Sequence, residues 1–226
     1  MSKLKWDQTG ERKYELGVDH GVLYRHTKSG TTVSQYAAGY AWNGLTAVNV
    51  SHDGGELGKN YADNINYFGI TSLEEVSATI EAFTYPDEFA PCNGEAQLVA
   101  GVSIGQQNRE EFGFCWRSKV GNDQDGYDAS YKLHILYGCH AAPSDEDYET
   151  INDSVEAMTF SWDVSTVPVA VAGFKPTAYL EIDSAAVDAD KLAALEAILY
   201  GTDAEGTNTA TVARLPLPDE IKTILT

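Results

Sequence analysis

The stretch ITSLEEVSATIEAFTYPDEFAPCNGEAQLVAGVSIGQQ, Ile70 to Gln107, sets the fold class. Between Glu75 and Tyr85 one parity carries Val76, Ala78, Ile80 and Ala82, and the other carries Glu75, Ser77, Thr79 and Glu81. Strand side chains alternate between faces, so this segment reads as a strand with one dry face and one wet, acidic face. A second segment repeats the pattern, with Leu98, Ala100, Val102 and Ile104 against Gln97, Gly101, Ser103 and Gly105. The corner from Tyr85 to Gly94 holds Pro86 and Pro91, which donate no ladder hydrogen bond. The expectation is a long β-ribbon of these two strands, with Val76, Ala78, Ile80, Leu98, Val102 and Ile104 packed beneath an outer layer. A two-stranded ribbon is not stable alone, and its edges recruit further strands.

Outward from that stretch, further strands read over Arg12–Leu16, Gly21–His26, Tyr36–Trp42, Leu45–His52, Glu111–Val120, Ser130–His140, Val155–Val164 and Thr177–Asp183. Lys28-Ser29-Gly30 and Asn43-Gly44 read as turns. Asp53 to Asn64 is rich in Gly and Asx and reads as a long loop. One helix is clear: Asp188 caps it, Leu192, Leu195 and Leu199 share a face, and Gly201 follows. Pro218-Asp219-Glu220 opens a short second one. The whole predicts a single mainly β domain over 1–226, a β-sandwich or barrel with a packed α-helix.

Composition narrows function. With 34 acidic against 15 basic side chains the net charge is −19, so the surface repels phosphate and argues against a basic nucleic-acid footprint. No run approaches the ~18 apolar residues of a membrane helix, and Met1 to Asp7 lacks the apolar core of a signal peptide. Cys92, Cys115 and Cys139 are too widely spaced for a C-x-x-C site and read as reduced, buried thiols.

Gly101-Val102-Ser103-Ile104-Gly105 fits G-x-S-x-G, which offers Ser103 as an esterase nucleophile, but the following residues lack the helical stripe a nucleophile elbow requires. Asn122 to Gly126 resembles a calcium loop, yet Gly121 and Lys132 would occupy the positions that need carboxylates. His20, His26, His52, His134 and His140 show no metal spacing. Thirteen tyrosines and four tryptophans raise a carbohydrate-binding β-sandwich, but Phe112, Phe114, Trp116, Phe160 and Trp162 sit at inward parity. The sequence therefore predicts no catalytic residue, no metal and no cofactor.

Several segments in order resemble one family: Trp6-Asp7-Gln8-Thr9-Gly10-Glu11-Arg12, Tyr14 to Tyr24, Trp42-Asn43-Gly44-Leu45, Tyr61-Ala62-Asp63-Asn64, Tyr85 to Cys92, Ile104-Gly105-Gln106-Gln107, Lys132-Leu133-His134-Ile135, Phe160-Ser161-Trp162-Asp163-Val164 and Arg214-Leu215-Pro216-Leu217-Pro218. Together they resemble the major tail tube protein of long, non-contractile-tailed bacteriophages. The resemblance implies hexameric rings stacked helically into a tail tube, with each copy's ribbon contributing to an inner β-barrel between subunits. It implies a virion protein assembled in the host bacterial cytoplasm. Its partners would be its own copies, the tape-measure protein, double-stranded DNA in transit, and the tail terminator and distal tail proteins, with no membrane.

On that reading Asn49, Ser51, Glu75, Ser77, Thr79, Glu81 and Gln97 face the lumen. The loop over 53–64, with Asp53, Gly55, Glu56, Leu57, Lys59, Tyr61 and Asp63, joins rings. Arms over 1–11 and 210–226 lie on neighbours through Trp6, Leu217, Ile221 and Leu225.

Overall fold

A computed structural model describes residues 3–27, 35–151, 153, 157–204 and 209–226. The turn expected at Lys28–Gly30 and the start of the strand expected from Val155 lie outside the described residues, as do Met1 and Ser2 of the first arm.

The chain is mainly β, with twelve strands and two α-helices among the described residues. The strands are β1 (Tyr14–Thr27), β2 (Gln35–Trp42), β3 (Leu45–Gly54), β4 (Leu57–Ala62), β5 (Ile65–Thr71), β6 (Glu74–Ala82), β7 (Ala96–Val99), β8 (Val102–Ile104), β9 (Phe112–Asn122), β10 (Gly126–Ala141), β11 (Phe160–Thr166) and β12 (Tyr179–Asp183). The helices are α1 (Ala189–Tyr200) and α2 (Pro218–Leu225). An antiparallel main sheet runs β2-β1-β9-β10-β11-β6-β3, with β12 added on β10. Among the described residues β4 pairs only with β5, and β7 only with β8.

Alternation along β9 and β10 builds two cores. Phe112, Phe114, Trp116 and Leu136 point between the two halves of the rolled sheet, where they meet Leu23, Trp42, Ile80, Phe89 and Trp162. Cys115, Leu133, Ile135 and Tyr137 point the other way, under Leu192, Leu195 and Leu199 of α1 and Ile221 of α2. The expected β-sandwich with a helix packed on it is thus the observed architecture. Buried hydroxyls pin the helical layer: Tyr24 donates to the Leu199 carbonyl at 2.7 Å and Tyr137 to the Pro216 carbonyl at 2.8 Å. Asp188 caps α1 by accepting from the Asp190 and Lys191 amides at 3.1 and 3.3 Å.

The pairing expected for the opening stretch is corrected. β6 pairs with β3 and β11, whereas Gln97 and Ser103 face each other in the separate β7–β8 hairpin. Val76, Ala78 and Ile80 do pack into the first core, but Leu98, Val102 and Ile104 are exposed on that hairpin. The intervening corner is a 3₁₀ turn at Asp87–Phe89 that drives Phe89 into the core against Trp42 and Trp162. The true long ribbon runs earlier in the chain: β3 continues through β4, turns at Asp63 and Asn64, and returns through β5 into β6. Both turn residues have positive φ, 50° and 63°, the conformation of a tight hairpin turn that Asx tolerates. Arg12–Leu16 and Gly21–His26 are likewise one strand, β1, whose register against β9 shifts between Leu16 and Asp19 and again before Val22.

Gly138 makes the rolled sheet possible. Register shifts between Leu136 and Cys139, so residues of opposite parity point into the same first core. Beyond the shift Cys139 makes the last pair with β9, opposite Phe112, and Cys139 to Ala141 pair with β11. Gly138 has φ +60°, and a Cβ there would stand 2.2 Å from the Val167 carbonyl oxygen, which is backbone and cannot swing aside. Gly138→Ala is therefore expected to destabilise the fold by at least ~2 kcal/mol, read as a fall in the urea midpoint at unchanged slope. A midpoint equal to wild type would show that the bulge does not need this glycine.

Candidate functional surface

The three strands β11, β6 and β3 form a continuous wall whose inner parity is core. Their outer parity aligns in rows: Asn49, Thr79 and Asp163; Ser51, Ser77 and Ser165; Ala47, Glu81 and Ser161; Asp53 beside Glu75. Thr79 Oγ1 donates to Asp163 Oδ1 at 3.0 Å across the rows. No Lys or Arg stands on this parity in the three strands, so four carboxylates share a face of small polar groups.

Six residues expected to share a polar face, Asn49, Ser51, Glu75, Ser77, Thr79 and Glu81, are brought together there. Gln97 is not among them, because β7 belongs to a different, two-stranded sheet. Ser161, Asp163 and Ser165 complete the face. Their signal was present in the sequence as the partner parity to Phe160, Trp162 and Val164.

Both sides of this wall have open backbone. Among the described residues β3 ends the sheet, and Phe160 to Trp162 of β11 are paired on one side only, since β10 reaches Val164 to Thr166 and the Ala142 amide donates to the Asp163 carbonyl at 2.7 Å.

The loop expected over 53–64 is instead ordered β structure. Asp53 lies in β3, which ends at Gly54; Leu57, Lys59 and Tyr61 lie in β4; Asp63 is in the turn between β4 and β5; Gly55 and Glu56 join β3 to β4. The physical cause is the Asp63-Asn64 turn, which brings Ala62 opposite Ile65 and lets β4 pair with β5. Gly54, at φ +84°, bends the ribbon where it leaves the core ladder, with Leu73's carbonyl oxygen 2.1 Å from where a Cβ would be. Beyond that bend the hairpin stands clear of the body, with Tyr61 70%, Tyr67 64% and Ile70 60% exposed beside Leu57, Ile65 and Phe68. Such a concentration of exposed apolar side chains marks an interaction surface.

The arms divide. Leu4 and Trp6 are exposed, so the segment over 3–11 is available to a neighbour. The C-terminal reading is corrected: α2 packs against α1, and Leu217, Ile221 and Leu225 join the second core of their own chain. Apolar spacing on α2 serves internal docking.

A polar network closes the inner face at one end, beside a cleft of about 520 Å³ between Glu15–Val18 of β1 and Thr46–Val50 of β3. His134 stacks between Trp116 and Tyr179, with ring centroids 5.0 and 6.1 Å away. Its Nε2 lies 2.7 Å from Ser118 Oγ, and Ser118 Oγ donates to Glu15 Oε1 at 2.5 Å. With the Ser118 proton committed to Glu15, Nε2–H donates to Ser118. The Tyr179 hydroxyl, 2.8 Å away, then donates to Nδ1. Lys132 bridges Glu15 at 3.0 Å and Glu181 at 2.8 Å. That polarity makes Ser118 a relay between two side chains, with no imidazole lone pair to take its proton.

Ser103 has no elbow geometry either. β8 is followed by β9, and Gly101–Gly105 forms part of an exposed hairpin. Asn122–Gly126 is the β9–β10 turn, held by Asn122 Oδ1 accepting the Gln124 and Asp125 amides. Phe112, Phe114, Trp116 and Trp162 are buried, and Phe160 packs against the same core. Among the described residues no group of three or more His, Cys, Asp or Glu side chains is placed to hold a metal ion, and no helix is long and apolar enough to cross a membrane. Neither the known protein-family models nor the curated proteins include a match to this chain.

Burial holds His134 below the ordinary histidine range, against the pull of Glu15 and Glu181. For Glu15, burial pushes its pKa upward, but hydrogen bonds from Ser118 and Lys132 outweigh it and hold the carboxyl below the usual range. A histidine with a depressed folded pKa leaves the unfolded chain binding more protons, so its contribution is full above about pH 6.5 and is lost as pH falls below that value. The expected result is an unfolding midpoint that declines from about pH 6.5 downward, before the carboxylates titrate, and a flatter profile in His134→Gln. Equal slopes in both proteins between about pH 6.5 and 5 would sink this assignment.

Proposed function

We propose that this chain is a tube-forming structural subunit, a tail tube protein of the long-tailed phage type, that assembles as stacked rings around a lumen through which DNA passes. The observation that carries the reading is the cation-free polar wall of β11, β6 and β3, dry on its inner parity and open along both edges. A sheet left open at both edges invites the same sheet of a second copy, and repetition around a ring removes the edges altogether.

In a ring of six, the edge of β3 in one copy would meet the open part of β11 in the next. The outer parity would then line the bore. Asp53, Glu75, Glu81 and Asp163 would repel phosphate, while the serines, Asn49 and Thr79 hold water, so a duplex slides without sticking. The β4–β5 hairpin supplies the contact between rings, burying Tyr61, Tyr67, Phe68 and Ile70 that a single copy leaves wet. The exposed arm with Leu4 and Trp6 adds a second contact to a neighbour. Tape-measure protein, DNA, and the terminator and distal tail proteins are the partners this assembly calls for, in a virion built inside the bacterial host.

Negative-stain microscopy and sedimentation across a concentration series test the assembly, with Phe68→Ser/Ile70→Ser as the informative variant. Wild type is expected to give rings or hollow tubes. The variant is expected to stay monomeric with stability within about 0.5 kcal/mol of wild type, since both side chains are exposed in the monomer. Wild-type protein that remains monomeric at every concentration, or a variant that forms normal tubes, would count against the reading.

A further inference from the structure

The rolled sheet does not close. β2 leaves β1 at Trp42, opposite Gly21, and the chain enters β3 at Leu45 to pair with β6 instead. Among the described residues, Tyr14 to Asp19 of β1 therefore have β9 on one side and no strand on the other, and the far edge of β3 is likewise unpaired. The two bare edges splay from an apex where a Cβ on Gly21 would stand 2.3 Å from Leu45 Cδ1. Between them opens the cleft of about 520 Å³ walled by Glu15–Val18 and Thr46–Val50.

Its lining is unfinished core. Val18, Val48 and Val50 pack against the first core yet are only partly buried, and Trp116 of that core lies beneath them. Bare strand edges over half-covered apolar side chains are what an added strand satisfies: its backbone takes the ladder hydrogen bonds and its alternate side chains fill the gap.

One segment of the chain has the matching pattern. Lys3-Leu4-Lys5-Trp6 alternates charge and bulk with the period of a strand. It has no helix or strand of its own, and it leaves Leu4 72% and Trp6 73% exposed. We propose that Leu4 and Trp6 of a second copy seat in this cleft, with the backbone of residues 3–6 added along β3. Lys3 and Lys5 then take the outer parity, beside a face whose carboxylates Asp53, Glu75, Glu81 and Asp163 have no Lys or Arg among them. Two lysines against four carboxylates leave that face acidic. Ser51 to Gly54 stay free for β11 of the adjoining copy.

The arm is held away from the cleft of its own chain. The Gly10 amide donates to Asp123 Oδ1 at 2.8 Å, and Arg12 Nη1 lies 3.9 Å from Asp123 Oδ2. These contacts fix the base of the arm against the β9–β10 turn, on the β9 side of β1, while the cleft lies along the opposite edge. The inference deepens the arm contact of the proposed assembly and rests on that reading for the presence of a second copy.

The test is fluorescence anisotropy of a labelled synthetic peptide of residues 3–11, titrated with the full chain carrying Leu4→Ser/Trp6→Ser, whose own arms do not compete. Expected are saturation at one peptide per chain, and affinity at least ~10-fold weaker for a peptide with Leu4→Ser/Trp6→Ser and for a receptor with Val48→Lys added. Disulfide trapping supplies the location. Chains with Trp6→Cys, mixed under oxidising conditions with chains carrying Val48→Cys, are expected to give a mixed dimer, since Cys92, Cys115 and Cys139 are fully buried and do not compete. Absence of saturable binding overturns the site, as does equal binding of the two peptides. A disulfide that forms only within a chain carrying both substitutions overturns the second copy as occupant. Peptide binding and a mixed dimer from protein that never forms rings or tubes would sink the tube reading and leave this contact standing; tubes from protein that binds no peptide would do the reverse.

Discussion

The ladder between β9 and β10 is apolar on both faces along its middle. Phe114 and Leu136 pair on one side, and Cys115 and Ile135 pair on the other, one residue along. Each large apolar side chain gains about 1.5–3 kcal/mol when removed from water, so neither face can be left wet. One sheet and two short helices must therefore be divided between two covers. Helices α1 and α2 cover one face. The other face needs a second layer, and the two separate sheets, β4–β5 and β7–β8, are largely exposed hairpins that do not cover it; the same main sheet rolls over onto itself.

That roll places the candidate surface. β10 is long enough to pair with β9 and β12 in its first part and with β11 in its last, and the Gly138 bulge changes which parity faces inward between them. The wall of β11, β6 and β3 then lies over Phe114 and Trp116, with Val48, Ala78, Ile80 and Trp162 inward. Only the inward parity is constrained by the core. The outward parity is free of packing demands, which makes the absence of every Lys and Arg from it informative about function where the apolar parity is informative only about folding.

Much of this was legible in residue order, because alternation and caps are local properties. Glu75 to Glu81 revealed both faces of β6, and Asp188 with Gly201 marked α1 within a residue of its bounds. Strand pairing is not local. The alternation at Leu98 to Ile104 matched that of β6 in period, yet period says nothing about partner, and the Tyr85–Gly94 corner turns into the core instead of back along a ladder. The misread hairpin is different: Asp63-Asn64 carried a turn signal between alternating residues, and the glycines at 54, 55 and 58 obscured it. For Leu217 and Ile221, apolar spacing on a helix cannot say whether the face docks on its own chain or on another. The Tyr137 hydroxyl, bound to the Pro216 carbonyl, settles that question in three dimensions.

The hairpin and the net charge act against each other, and both belong to the proposed assembly. Exposed Tyr61, Tyr67, Phe68 and Ile70 favour burial against another copy, while a charge of −19 on every copy opposes approach. The repulsion is long-ranged only to about 8 Å at physiological ionic strength, whereas apolar burial acts at contact. In the proposed assembly, free chains at low concentration would be kept apart by charge, and a chain already held at the growing end would be inside the distance at which burial wins. Placing the apolar hairpin on a two-stranded projection beyond Gly54, away from the core ladder, would let that contact form without disturbing the sheet that lines the bore in the proposed assembly. The stability of the subunit and its ability to join others are thus assigned to separate parts of one ribbon, divided at a glycine.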